Sequence, residues 1–314
     1  MTDTQNEVFK TPVNKIRLFE HGAPGSQNLK LTRKYYTEDM PDGRVKHIVQ
    51  NITDPDIVPY IPDGIGNSTD RQRIPAVLII PGGAFRRLVY NFEGEDVAKW
   101  LNSMGIAAFV LECRLPSDEH DNAEDVPLID AMRAMRVIRG RAQEFGIDEA
   151  KIGVMGFSAG GFMAALLSTA YESDVYADYK YKDEYDKLSA RPDFAVCSYP
   201  VISIDDCIEA GKRYMSEEQV LERISDGKAK ILHKYNPDKL VRPDMPPVFI
   251  CETDDDRTTL SENSVGFYMA ARKAGVSAEL HIFRTGGHGY GCGDDFAQTG
   301  EWKVLFTKWI KSFG

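Results

Sequence analysis

The sequence predicts an α/β fold with a mainly parallel β-sheet that is covered by helices on both faces. Short, continuously apolar runs such as 76–80 and 106–111 lack the alternation of half-buried strands, so they predict strands buried on both sides. Helix-like stretches separate these runs, as in βαβ units. In addition, a Gly-x-Ser-x-Gly pentapeptide at 156–160 joins the apolar run 151–155 to a helix-forming run at 159–171.

The N-terminal segment, up to about residue 73, differs from the rest of the chain. It is rich in Pro, Asp, Asn and Gly and contains short strand-like runs at 15–19, 46–52 and 57–61. Short strands between turn-forming residues are typical of antiparallel pairing. We therefore predict that residues 1–73 form a leading antiparallel edge on the later sheet.

Strands and helices alternate from residue 76 onward. The predicted strands are 76–80, 106–111, 151–155, 194–199, 248–251 and 278–283. The predicted helices are 93–104, 126–145, 159–171, 261–274 and 301–312. Together with the leading strands, this alternation predicts a single domain over residues 1–314 with a sheet of about eight strands.

Two polar segments interrupt the alternation. Residues 172–192 are Tyr-rich and irregular. Residues 203–247 contain a predicted helix at 216–224 and a Pro-rich exit at 242–247, whose prolines exclude a central strand. Both segments flank the strand that follows the helix 159–171. They are either small cap insertions over a site or surface excursions.

Composition and charge exclude several classes of protein. The chain has 314 residues, of which 42% are hydrophobic and 27% are charged, as in an ordinary globular protein. Its net charge of -10 leaves no basic patch for nucleic acid or an anionic membrane. The five cysteines are scattered, so neither a disulfide framework nor a zinc site is indicated. The first residues lack the basic and apolar regions of a secretory signal, so we expect a cytoplasmic protein.

Ser158, at the centre of the Gly-x-Ser-x-Gly turn, is the candidate nucleophile. In a sharp strand-to-helix turn a serine adopts a strained backbone conformation that lifts its hydroxyl above the sheet edge. Gly156, Gly160 and Gly161 have no Cβ and let the strand and the helix approach closely around it. The alternative is a chance Gly/Ser turn, but the strand and the helix that the motif requires are both predicted here.

His288 is the candidate general base among six histidines. A serine hydroxyl needs a base within hydrogen-bond reach, and in this strand–turn–helix architecture an acid and then a histidine follow the serine along the chain. The three histidines before Ser158 are therefore excluded, His233 precedes the expected acid, and His281 lies inside a predicted strand. His288 lies in a Gly-rich loop after the last strand. The alternative for His288 is a surface histidine in a turn.

The acid is expected after the strand 248–251, where the sequence has three adjacent aspartates at 254–256. Adjacent carboxylates repel one another, so one is expected against the imidazole while the others face solvent or cap a turn. Position alone does not choose among the three. Asp205 and Asp206, after the preceding strand, are fallback acids. The acidic triplet lacks the remaining ligands of a calcium loop, so we predict no metal site.

Backbone N–H groups must stabilise the oxyanion that attack by a serine generates. Ala159, directly after the serine, would supply one of them. The loop after the strand 76–80 would supply the others. We assign Gly83 and Ala84 in this loop, because glycine lets the backbone approach a substrate closely. A plain β-turn is the alternative for this Pro-Gly-Gly-Ala-Phe segment.

Motifs for other chemistries are missing from the sequence. It has no phosphate-binding loop of the Gly-x-x-x-x-Gly-Lys-Ser/Thr type, no dinucleotide fingerprint after a first strand and no His-Glu-x-x-His zinc motif. We therefore expect the chemistry of this chain to need neither a cofactor nor a metal.

Taken together, these motifs resemble those of α/β-hydrolase esterases of the acetyl-xylan-esterase-like, or BD-FAE-like, group. The resemblance runs from about Asn51 to the C-terminus, and several matching stretches together are far more specific than any one. These stretches lie at 51–63, 81–85, 93–98, 108–115, 156–161, 198–203, 253–264 and 280–289.

The resemblance implies an α/β-hydrolase fold and a carboxylic-ester hydrolase that acts on short acyl groups, often acetyl groups on sugars. In the family pattern, a two-residue gap and a Val-Pro pair follow the acid. Here Thr259-Leu260 stands in place of that pair, which points to Asp256 and leaves Asp255 open. Ala84 stands where the family usually has a third glycine, and its N–H remains available for the oxyanion.

We therefore expect a serine esterase that forms an acyl-enzyme on Ser158. We expect its substrate to be a small-molecule ester, and we expect neither nucleic acid nor a membrane as a binding partner. The sequence does not decide between a monomer and a homodimer. A serine peptidase of the prolyl-oligopeptidase type shares the order of the triad, but about 75 leading residues cannot build the propeller that such enzymes usually carry. A non-catalytic hydrolase-fold binding protein is the second alternative, although such a protein is expected to lose the serine or the histidine.

Overall fold

The computed structural model describes Phe9 and residues 13–65, 73–213, 215–216, 218–219, 228–293 and 297–313. Its strands are β1 (Ile16–Arg17), β2 (Lys34–Asp39), β3 (Val45–Gln50), β4 (Asp56–Tyr60), β5 (Ile74–Ile80), β6 (Leu88–Val89), β7 (Ala107–Glu112), β8 (Ile147–Phe157), β9 (Ala195–Ser198), β10 (Val248–Thr253) and β11 (Ala278–Phe283). Its α-helices include α1 (Asp96–Ser103), α2 (Val126–Gly140), α3 (Ala142–Phe145), α4 (Ala159–Ala170), α5 (Ile204–Lys212), α6 (Lys228–Lys234), α7 (Ser261–Lys273) and α8 (Glu301–Lys311).

A sheet with the strand order β1-β4-β7-β5-β8-β9-β10-β11 forms the centre of the described part. The strands from β7 to β11 in this order pair in parallel. β1 and β4 extend the β7 edge with antiparallel pairing. The prediction of a mainly parallel sheet of about eight strands is therefore confirmed. β5 and β7 are almost entirely buried, which explains why their sequences do not alternate between polar and apolar residues.

Two layers of helices bury the sheet. In one layer, α2 packs against α4, and both contact β8. In the other, α1 packs against α8 through Trp100, whose ring centroid lies 5.0 Å from Trp302 and 5.6 Å from Phe306. Trp302 and Phe306 are fully buried, and each such side chain contributes roughly 1.5–3 kcal/mol through burial. No helix in the described part of the chain has the length and apolarity that crossing a bilayer requires.

The leading residues supply strands to two different sheets. β1 and β4 join the main sheet, but β2 and β3 form an antiparallel hairpin that pairs with β6 in a separate three-stranded sheet. This arrangement differs from the expected single leading edge. The sequence does not predict β2, because its residues Lys-Tyr-Tyr-Thr-Glu-Asp are polar and none of them is fully buried. β6 follows the loop after β5, so the small sheet lies beside that loop.

The predicted helix 126–145 is divided into α2 and α3. The break lies at Arg141, where the backbone angles are φ -104° and ψ 16°. The residue before it, Gly140, lies so close to the Tyr185 ring that a Cβ at this position would be 2.3 Å from a ring carbon. Glycine is therefore required for this contact, and it weakens the helix at its end.

The two insertions occupy different parts of the molecule. Residues 172–192 pack along α2, where Arg133 pairs with Asp186 at 3.0 Å. In the insertion 203–247, α6 contacts the 3-10 turn Pro116–Asp118 after β7, and α5 contacts α7 after β10. The second insertion therefore bridges loops on both sides of β8 at the carboxyl edge of the sheet. The helix predicted at 216–224 falls largely outside the described residues.

A buried ion pair joins the segment after β7 to α2, and its loss is expected to destabilise the fold. Arg114 Nη2 lies 2.6 Å from Asp130 Oδ1, and both side chains are fully buried. We expect Asp130→Ala to lower the free energy of unfolding by about 3–5 kcal/mol, because it leaves a buried cation without its partner. Urea denaturation measures this loss.

The exposed pair between Arg141 and Glu144, 2.5 Å apart, provides the control. Glu144→Ala is expected to change the free energy of unfolding by less than about 1 kcal/mol, since solvent screens an exposed pair. If Asp130→Ala lowered the free energy of unfolding as little as Glu144→Ala does, this result would contradict the stabilising role that we assign to the buried pair.

Candidate active site

Ser158 occupies a strained turn between β8 and α4. Its backbone angles are φ 54° and ψ -119°, a conformation that residues other than glycine rarely adopt. A Cβ on Gly156 would lie 1.9 Å from the Gly160 carbonyl oxygen, and a Cβ on Gly160 would lie 1.9 Å from the Ile80 carbonyl oxygen. Only glycine at these two positions lets β8, α4 and β5 meet so closely, and this packing holds the serine at the sheet edge.

His288 contacts Ser158 from the loop that follows β11. The distance between His288 Nε2 and Ser158 Oγ is 2.8 Å. We call residues 284–293 the His288 loop. Its glycines at 286, 287, 289, 291 and 293 all have positive φ, which allows a tight path back over the sheet edge. The structure therefore brings together two residues that are separated by 130 positions in the sequence.

Asp256 lies on the other side of the imidazole. Its Oδ2 is 2.6 Å from His288 Nδ1, and its Oδ1 accepts hydrogen bonds from the backbone N–H groups of Thr258 at 2.7 Å and Thr259 at 3.0 Å. With an Nδ1 proton donated to this carboxylate, Nε2 is left to accept the proton of the Ser158 hydroxyl. The three side chains thus form a continuous line of hydrogen bonds.

The other acids and bases considered from the sequence lie elsewhere. Asp255 Oδ1 accepts from Gly286 N at 2.9 Å and Gly287 N at 2.8 Å, and these backbone donors lower the pKa of Asp255. Asp254 is exposed. Asp205 lies on α5, 3.3 Å from Lys239 Nζ, and the side chain of Asp206 lies outside the described residues.

The two remaining histidine alternatives are also separate from Ser158. His233 is exposed near the end of α6, and His281 in β11 contacts Glu279 at 2.7 Å. Within the described residues, no three His, Cys, Asp or Glu side chains are grouped as metal ligands would be. Of the three adjacent aspartates, Asp256 contacts the imidazole, whereas Asp254 and Asp255 are exposed and Asp255 contacts the backbone of the His288 loop.

The loop after β5 lies directly against the serine. A Cβ added to Gly82 would be 2.9 Å from Ser158 Cβ. We call residues 81–87 the Gly82 loop. Gly83, Ala84 and Phe85 have φ values of 135°, 58° and 60°, and the Gly83 carbonyl accepts from Arg86 N at 3.2 Å. The loop thus contains the β-turn considered as an alternative, and that turn lies beside Ser158.

Ala159, the third predicted oxyanion donor, is the first residue of α4. The N–H groups in the first turn of an α-helix have no carbonyl partner within the helix. The backbone N–H of Ala159, the residue directly after the nucleophile, therefore has no hydrogen-bond acceptor within α4.

Three polar side chains around the triad are missing from the sequence-based site. Thr259 Oγ1 lies 3.0 Å from Asp256 Oδ2 and 3.2 Å from His288 Nδ1. Glu93 and Tyr199 are buried and hydrogen-bonded to each other at 2.9 Å. All three lie in stretches that carry the family resemblance, which is a signal for their importance, but nothing in the sequence indicates these contacts.

Residues 65–270 match the family model of BD-FAE. The chain belongs to the BD-FAE family. A curated relative, an acetylxylan esterase of Xylanibacter ruminicola, is 30% identical over 239 residues, which are 76% of this chain and 45% of the relative. Another, endo-1,4-beta-xylanase B of Butyrivibrio fibrisolvens, is 31% identical over 227 residues, 72% of this chain and 34% of the relative. The chain spans less than half the length of these two relatives.

Solved structures extend the comparison over nearly the whole chain. The acetyl ester-xyloside bifunctional hydrolase from Caldicellulosiruptor lactoaceticus is 35% identical, has a TM-score of 0.69, and is matched over 96% of both chains. An esterase from Thermogutta terrifontis, at 24% identity and a TM-score of 0.64, is matched over 93% of this chain and 95% of its own. The α/β-hydrolase fold and the family predicted for this BD-FAE chain are confirmed.

Proposed function

We propose that this chain is a serine hydrolase that removes short acyl groups, chiefly acetyl, from esters of sugars and other small alcohols. The single observation that supports this most strongly is the line from Ser158 to His288 at 2.8 Å and from His288 to Asp256 at 2.6 Å. In this proposal Ser158 is the nucleophile, His288 the general base and Asp256 the acid that orients the imidazole. No cofactor is required.

Acylation begins when Ser158 Oγ attacks the ester carbonyl while its proton passes to His288 Nε2. The carbonyl oxygen becomes an oxyanion that accepts hydrogen bonds from the backbone N–H groups of Gly83, Ala84 and Ala159. When the intermediate collapses, the bond to the alcohol breaks and His288 returns the proton to the departing oxygen. An acyl-enzyme on Ser158 and a free alcohol result.

Deacylation uses the same groups in reverse order. A water molecule gives its proton to His288 Nε2 and attacks the acyl carbonyl, and the oxyanion again faces the three backbone donors. Collapse then breaks the bond to Ser158 Oγ, which regains its proton from His288. The products are a carboxylic acid and the original enzyme, so atoms and charge balance over one cycle.

The relatives support acetyl esters as the substrate class, because the acetylxylan esterase and the acetyl ester-xyloside hydrolase both carry that group in their names. The insertion 203–247, which bridges the carboxyl edge of the sheet, is proposed as a cap over the alcohol side of the site. We also propose a reducing, cytoplasmic location, since Cys113, Cys197 and Cys251 are buried as free thiols.

A panel of p-nitrophenyl acetate, butyrate and octanoate, together with an aminoacyl-proline p-nitroanilide, tests this function. We expect kcat/KM to be highest for acetate and at least about 10-fold lower for octanoate, since one or two poorly placed methylenes cost roughly 1–3 kcal/mol. Release of acetate from acetylated xylo-oligosaccharides, compared with the aryl esters, then tests the sugar portion. Faster cleavage of the anilide would favour a peptidase, and no turnover of any substrate would favour a binding protein.

A further inference from the structure

Two buried side chains join the loops on either side of the nucleophile. We infer that Glu93 and Tyr199 are positioning residues, which hold the Gly82 loop in register with the His288 loop so that the oxyanion donors and the base act on the same bound ester. This inference rests on the proposed function and extends it to residues that do not themselves belong to the triad.

A chain of three hydrogen bonds connects the two loops. Gly82 N donates to Glu93 Oε2 at 2.9 Å, and the Tyr199 hydroxyl donates to Glu93 Oε1 at 2.9 Å. Gly291 N, in the His288 loop, donates to the Tyr199 hydroxyl oxygen at 2.9 Å. Each bond has ordinary geometry, and together they span from the loop beside Ser158 to the loop that carries His288.

The direction of these bonds assigns an acceptor role to Glu93. Both of its carboxylate oxygens receive a proton donor, which is the role of an ionised carboxylate. Burial raises the pKa of Glu93, while a protonated His288 and the hydrogen bonds from Tyr199 and Gly82 oppose that rise. Since Glu93 is only 4% exposed, its two donors replace the water that an ionised carboxylate otherwise requires.

The ring of Tyr199 adds a second constraint on the base. Tyr199 directly follows β9 with a φ of 37°, and its backbone N–H donates to the Cys251 carbonyl at 2.7 Å. This anchored ring meets the His288 imidazole edge to face, with centroids 5.0 Å apart, and also packs against Tyr290 at 4.5 Å. The same residue therefore touches the base and, through Glu93, supports the Gly82 loop.

The expected catalytic effect follows from where the linked loops lie. Gly82 directly precedes the proposed donor Gly83, and its own N–H is occupied by Glu93. Oxyanion donors act on the charge that develops in the transition state, so a small displacement of the loop lowers kcat more than it changes KM.

Tyr199→Phe and Glu93→Gln test the inference, with Tyr290→Phe as the matched control. Tyr199→Phe keeps the ring against His288 and removes only the hydroxyl. Tyr290→Phe removes another buried tyrosine hydroxyl from the same cluster, one that is not part of the chain of bonds.

For p-nitrophenyl acetate, we expect kcat per titrated active site to fall about 10- to 100-fold in Tyr199→Phe and Glu93→Gln, with KM changed less than about 3-fold. Tyr290→Phe should keep kcat within about 3-fold.

Hydrogen–deuterium exchange tests the link without relying on activity. In Tyr199→Phe, we expect faster exchange in peptides from the His288 loop and from the Gly82 loop, which Tyr199 reaches through Glu93. Unchanged exchange in the Gly82 loop, or a kcat in Tyr199→Phe equal to that of Tyr290→Phe, would overturn the inference. A wild-type protein that cleaves no ester would instead refute the proposed function, and the exchange pattern would still decide whether the loops are coupled.

Discussion

Replacing Ser158 with alanine is expected to lower kcat for p-nitrophenyl acetate by at least about 10⁴-fold. The substitution removes the Oγ that would form the acyl bond and that lies 2.8 Å from the base, while the backbone donors remain. Any residual turnover would then come from binding and from the oxyanion donors alone. Initial rates with purified protein measure the loss, and circular dichroism establishes that the variant is folded.

Ser168 provides a matched control for this variant. It is a fully buried serine on the same helix, α4, and its hydroxyl donates to the Ala164 carbonyl at 2.7 Å. Ser168→Ala should retain kcat within about 3-fold, because this bond serves the helix and not the site. A Ser158→Ala protein with more than about 1% of wild-type kcat would contradict the assignment of the nucleophile.

Asp256→Asn is expected to lower kcat by about 10³- to 10⁴-fold. Two backbone N–H groups point at Oδ1, so the amide oxygen must occupy that position and the NH₂ group must face His288 Nδ1. The imidazole is then driven to the tautomer that carries its proton on Nε2, which cannot accept the proton of Ser158. Steady-state kinetics on the folded variant measure the effect.

Asp255→Asn is the control for the acid. The Asp255 carboxylate supports the His288 loop by accepting from Gly286 N and Gly287 N, and an amide oxygen still accepts both bonds. We therefore expect a loss of less than about 10-fold in kcat. A larger loss in Asp255→Asn than in Asp256→Asn would contradict the proposed triad.

The sequence is sufficient to predict the order of the central elements. Buried parallel strands are continuously apolar, so β5 and β7 are recognisable without any structural information. The sequence is insufficient where its pattern of polar and apolar residues is weak. β2 is polar and half-buried, and the close contact between Gly140 and Tyr185, beside the break between α2 and α3, joins residues that are distant in sequence.

In the candidate site, too, the sequence predicts some residues and not others. Ser158 and His288 are predictable because each lies in a Gly-rich turn at a defined place in the order of strands. The choice between Asp255 and Asp256 depends on which carboxylate faces the imidazole, and three adjacent aspartates do not reveal this. The link that Glu93 and Tyr199 make between the two loops is not predictable, because it arises from tertiary packing.

Covalent labelling of the serine tests the central claim most directly. The protein is treated with a fluorophosphonate, which a serine activated by a base attacks, and the modified peptide is then mapped by mass spectrometry. We predict stoichiometric labelling of Ser158 in the wild-type protein and strongly reduced labelling in His288→Ala. Labelling at another residue, or ester turnover that persists with Ser158 unmodified, would contradict the account.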